Sequence, residues 1–84
     1  MPYIDIIWDL EDDPDGNVQH IAEHGLTKDD VRWVLENPIR HEVSRSSGRP
    51  LAIGYTPDDV LIVVVYEKVD EQTVYPVTAY EIDE

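Results

Sequence analysis

From Val60 to Tyr66 the chain runs Val-Leu-Ile-Val-Val-Val-Tyr, with no charge and no polar alternation. A strand with one wet face alternates apolar and polar residues. An unbroken β-branched run instead fits a central strand buried on both faces. The run is also far short of the ~20 apolar residues that a membrane helix needs. The rest of the chain therefore has to supply flanking strands and a cover. Residues 41–46, 51–56 and 73–82 read as those flanking strands, with the central one extending over 60–68. Between them lie turn residues at Ser46-Ser47-Gly48-Arg49, Thr56-Pro57-Asp58-Asp59 and Asp70-Glu71-Gln72. Pro76 removes a ladder donor, so the last strand is expected at an edge or with a bulge.

The first part of the chain supplies one strand and two short helices. In residues 3–8, Ile4, Ile6 and Trp8 fall on one face and Tyr3, Asp5 and Ile7 on the other, which reads as a strand. After it, Asp13 reads as an N-cap with Pro14 in the first helical position. Val18, Ile21 and Ala22 then form an apolar stripe, and Gly25 is placed to end the helix in a left-handed conformation. The second helix is marked more densely. Thr27 is its N-cap, Asp30 completes a short-armed capping box, and Leu26 with Val31 forms a hydrophobic staple. Val34 and Leu35 extend the buried stripe, and Pro38 stops the helix. The predicted order is β-α-α-β-β-β-β, an α+β fold with two short helices packed on an antiparallel sheet in one domain spanning residues 1–84.

Charge narrows the function classes. The 84 residues carry a formal net charge of −13 and no cysteine. Disulfides and thiolate metal sites are therefore excluded, and generic nucleic-acid coating, which rests on several Lys or Arg contacts, is disfavoured. Residues 1–15 hold six acids and no base, whereas between Pro38 and Pro57 the sign inverts, with Arg40, Arg45 and Arg49 against Glu42 alone and His41 beside them. An anion, if one is handled, is handled there. The N-terminus lacks a basic stretch followed by an apolar run, so a cytoplasmic location is the default, with no membrane association.

Several short motifs in order resemble the BrnT family of small toxins, which have a RelE-like fold. They are Ile7-Trp8-Asp9, His24-Gly25-Leu26-Thr27, Glu36-Asn37-Pro38, Arg49-Pro50-Leu51-Ala52-Ile53-Gly54, Val63-Val64-Val65-Tyr66 and Val77-Thr78-Ala79. The resemblance implies a metal-independent ribonuclease that arrests translation on ribosome-held RNA, uses no cofactor and is neutralised by a cognate antitoxin. Relatives tend to carry a lysine where this chain has Glu23, and arginines where it has Tyr75 and Tyr80; Arg49 is the family-like arginine retained.

Cutting RNA without metal requires a base near the 2′-hydroxyl, a cation for the phosphate and an acid for the leaving oxygen. Arg49 is the candidate cation, with Arg45 beside it. His24, His41 and Glu67 are candidate bases, and Tyr80 is the candidate acid, a role tyrosine has in some RelE-like toxins. Arg40, Arg45, His41 and Tyr75 are expected to contribute binding. The Ser44–Arg49 hairpin reads either as an anion cradle or as a solvated tip. His20 and His24 have a zinc-compatible spacing but no evident third ligand. The acidic stretch from Glu11 to Gly16 looks like a calcium loop, yet Ala22 stands where such a loop needs its bidentate glutamate. No metal site is expected. Two functional readings follow: a toxin-fold ribonuclease, and a non-catalytic acidic module on the same fold that contacts a basic protein partner. A homodimer through the last strand, Val74 to Ile82, is a further expectation, with Pro76 working against it.

Overall fold

The computed structural model describes residues 5–82, so Tyr3 and Ile4 of the first predicted strand, and the last two residues, lie outside it. The order is β1 (Asp5–Ile6), α1 (Asn17–Glu23), α2 (Lys28–Glu36), β2 (Arg40–Val43), β3 (Pro50–Tyr55), β4 (Leu61–Lys68) and β5 (Thr73–Glu81). These form one five-stranded sheet in the spatial order β1-β5-β4-β3-β2. The β2 to β5 pairings are antiparallel, as the turns predict. The sheet is nevertheless mixed, because β1 joins β5 in parallel, with Asp5 opposite Thr73 and Ile6 opposite Val74. Chain segments this far apart need no hairpin, so the antiparallel rule does not bind them.

Helix α2 forms where its caps place it. Thr27 Oγ1 accepts from the Asp30 N–H, and Asp30 Oδ2 accepts from the Thr27 N–H. Leu26 and Val31 are both buried. Helix α1 ends as its glycine predicts. Gly25 has φ +76, the Leu26 N–H returns to the Ile21 carbonyl, and the Gly25 N–H returns to Ala22.

The start of α1 differs from the expectation. Asp13 and Pro14 lie in a turn, and the Asp13 carboxylate accepts from the Asp15 N–H two residues on. The helix begins at Asn17 with Gly16 as N-cap and no capping side chain. A side chain at Gly16 would place its Cβ 2.7 Å from the Asp9 Cβ, so this close approach requires glycine.

Both helices lie on one face of the sheet. There Ile21, Leu26, Val31, Val34 and Leu35 pack against Ala52, Ile62, Val64, Tyr66, Val74 and Ala79, with Ile6 and Trp8 at the margin. On the other face Ile53, Leu61 and Val63 form a second cluster among half-buried Leu51, Tyr55, Val65, Tyr80 and Ile82. β4 thus contributes alternate residues to two apolar clusters, which is why its sequence does not alternate in polarity. At Pro76, β5 carries a bulge, the register against β4 shifting between Val65 and Tyr66. Among the described residues no helix is long and apolar enough to cross a membrane.

Candidate functional site

The alternation of β3 and β4 puts part of the candidate set on, or at the ends of, the helix-free face. Leu51, Ile53 and Tyr55 point to it from β3, and Leu61, Val63, Val65 and Glu67 from β4. None of the helix side chains belongs to its apolar cluster.

At one end of this face stands a charged row. Arg49 Nε lies 3.0 Å from Glu67 Oε1, and Glu67 is in register with Tyr75. The Tyr75 hydroxyl donates to Asp9 Oδ2 at 2.6 Å. That bond, followed by the Asn17 N–H, holds the Asp9 carboxyl below its ordinary range. Reciprocally, Asp9 first, then burial and the nearby negative charges, push the Tyr75 phenol up. Tyr75 is therefore a fixed neutral donor to Asp9.

His24 and Tyr80 stand elsewhere. Tyr80 is opposite Val63, four residues from Glu67 along β4, about 13 Å at roughly 3.3 Å per residue. Its ring lies 6.3 Å from that of His24, the residue that closes α1. The proposed catalytic set is thus placed as two pairs: Arg49 with Glu67, which Tyr75 joins, and His24 with Tyr80. One substrate phosphate cannot touch both.

The remaining candidates are dispersed. Arg40 Nε is 2.7 Å from Glu42 Oε2 on β2. His41, between them, pairs with Ala52 and faces the opposite way. In the Ser44–Arg49 hairpin the hydroxyls turn inward, Ser44 Oγ accepting from the Ser47 N–H and Ser47 Oγ from the Arg49 N–H. The Gly48 N–H bonds to the Ser44 carbonyl, with Gly48 at φ +73. These internal bonds use amides that an anion cradle would direct at its ligand, which favours the structured-tip reading. Arg45 lies at the exposed tip. Four of the six basic side chains are in ion pairs: Lys28 with Glu11, Arg32 with Glu36, Arg40 with Glu42 and Arg49 with Glu67. Among the described residues no three His, Asp or Glu side chains converge as metal ligands, so neither His20 with His24 nor the Glu11–Gly16 turn gathers a ligand set.

Sequence reading did not single out Asn17, yet its side chain makes three hydrogen bonds. It is 1% exposed. Its Oδ1 accepts from the Asp9 N–H, and its Nδ2 donates to the carbonyls of Ile7 and Pro76. Pro76 lies 59 residues away, so no local signal marks the position. A cleft of about 370 Å³ also opens between the acidic turn and the helices, floored by Val18, Ile21, Ala22 and Leu26. It holds none of the candidate site residues. No family model, no curated protein and no solved structure matches the chain.

Proposed function

We propose that this chain is a non-catalytic binding module on a RelE-like toxin scaffold, holding a basic protein partner against the helix-free face of its sheet. The observation that carries this reading is the face itself: Leu51, Tyr55, Val65, Tyr80 and Ile82, half-buried around Ile53, Leu61 and Val63, with neither α1 nor α2 over them. A contiguous apolar surface of this kind is what a protein contact uses. The net charge of −13 selects a basic partner over an acidic one and speeds its approach. The ion pairing of most basic side chains leaves little free positive charge for RNA. In a toxin–antitoxin pair that partner is the cognate antitoxin.

A synthetic amphipathic helix with a leucine face and a Lys/Arg face tests the proposal by calorimetric titration, with an acidic counterpart as control. Binding of the basic peptide alone, lost in the folded double variant Leu51→Glu/Val65→Glu, is the expected result. Equal binding of both peptides, or indifference to the double variant, would refute it.

A second reading, the metal-independent ribonuclease, is supported by the row of Arg49, Glu67 and Tyr75 at the end of the same face. Arg49 would meet the phosphate and Glu67 would take the 2′-hydroxyl proton. Growth arrest and cleavage of ribosome-held RNA that disappear with Arg49→Ala would favour it. An inert wild-type chain would remove it.

A further inference from the structure

The sheet has two edges, and they are treated differently. Beyond Val74, β5 has no strand on its outer side among the described residues, but Asn17 caps the Pro76 carbonyl there, and the segment from Ile7 to Asn17 is tied alongside. Among the described residues, no segment besides β3 is hydrogen-bonded to the other edge, β2. All four of its residues are exposed. The Ser44 N–H bonds to Arg49, so the even-numbered residues turn their backbone groups to β3 and the odd ones, His41 and Val43, turn theirs outward. Ile39 is 62% exposed and Val43 67%, among the most exposed large apolar residues of the fold.

The centre of this edge, Arg40-His41-Glu42, is complementary in charge to itself when reversed. We propose that β2 pairs antiparallel with β2 of a second copy about a two-fold axis at His41, giving a continuous ten-stranded sheet. In that register His41 exchanges backbone hydrogen bonds with its symmetry mate. Arg40 stands opposite Glu42 of the second copy, a combination that occurs twice; Ile39, just outside the strand, gives its N–H to the Ile53 carbonyl and takes no part. Cross-strand opposite charges and apolar pairs are the stabilising unit of a sheet, and like charges directly opposite are destabilising. The alternative register, centred on Glu42, sets Glu42 against Glu42. One alignment is therefore chosen over its neighbour, the condition for an isologous contact.

Charge distribution permits the approach. The acidic segment through Asp15 follows β1, at the far side of the sheet. Four strand spacings of about 4.8 Å put that edge roughly 19 Å from β2. This exceeds a Debye length of about 8 Å at physiological ionic strength. The strand that pairs lies in the segment where Arg40, Arg45 and Arg49 outnumber Glu42. β2 is the part of this acidic molecule that a second copy can reach with least repulsion.

The test is charge reversal read by sedimentation equilibrium over a range of concentrations. The wild type is expected to dimerise reversibly. Arg40→Glu and Glu42→Arg should each weaken the dimer at least about tenfold, since either puts two like pairs face to face. The double variant Arg40→Glu/Glu42→Arg should restore it, and mixing the two single variants should yield a heterodimer. Both substituted positions are exposed, and far-ultraviolet circular dichroism verifies that each variant is folded. A wild type that stays monomeric overturns the proposal and leaves the edge to a strand of another protein. A dimer that ignores the single reversals, or that the double reversal fails to restore, places the contact elsewhere and overturns it equally.

Discussion

The two sheet edges use opposite means. At the β5 side, one buried amide ties the edge down at Pro76: Asn17 bonds to residues before it and to β5, and Asp9 adds Tyr75. At the β2 side, among the described residues, the strand pairs with β3, and the side-chain ion pair of Arg40 with Glu42 is exposed. The difference shows that an edge is closed by satisfying buried polar groups from across the fold. Exposed surface charge does not close it; it dictates what can pair with it.

Removing the closure should have the largest effect. Asn17→Ala leaves the Asp9 N–H and the Ile7 and Pro76 carbonyls without their partner, and should cost about 2–4 kcal/mol in urea unfolding. A smaller loss would mean that water replaces the amide and that the edge is held by packing. Thr27→Ala tests a local device against this long-range one. It removes the acceptor for the Asp30 N–H and should cost about 1 kcal/mol.

The Asp9–Tyr75 bond sharpens the comparison through pH. The Asp9 carboxyl is lowered, so its contribution is present above its unfolded value and is lost as pH falls through the folded one. The Tyr75 phenol is raised, so its contribution is present below its unfolded value and is lost as pH rises through the folded one. Tyr75→Phe should therefore flatten both the acid and the alkaline limbs of the stability curve. Unaltered limbs would show that the bond adds nothing to folding. The smallest effect belongs to the open edge. Arg40→Glu should change protomer stability by less than about 0.5 kcal/mol, because the group is exposed, while shifting self-association.

Local physics was legible in the sequence wherever cause and consequence lie within a few residues. Thr27 with Asp30, Leu26 with Val31, and the left-handed Gly25 were all readable for that reason. The same logic misplaced the start of α1. Asp13-Pro14 is a good helix opening in isolation, but the Asp13 carboxylate is spent on the Asp15 N–H, and the turn instead delivers Gly16 and Asn17 against Asp9. The site was legible only as a set of residue types. Arg49 and Glu67 are 18 positions apart and Tyr75 and Asp9 are 66 apart, and a β-bulge near Pro76 decides which residues face each other. Tyr80 and Arg49, grouped by chemistry, are separated by geometry. Pairing of two copies through the last strand was one expected route to a dimer; Asn17 takes the Pro76 carbonyl on that edge, and β2 offers the other edge.

By itself the sequence determined the element order, the capped helix α2 and the doubly buried β4, because caps, staples and β-branched runs act on near neighbours. Only the tertiary structure decided that the first strand joins in parallel, that Asn17 is the keystone of one edge, and that the sheet keeps one face without helices. Those outcomes depend on hydrogen bonds and packing between residues far apart in the chain, where no local preference reaches.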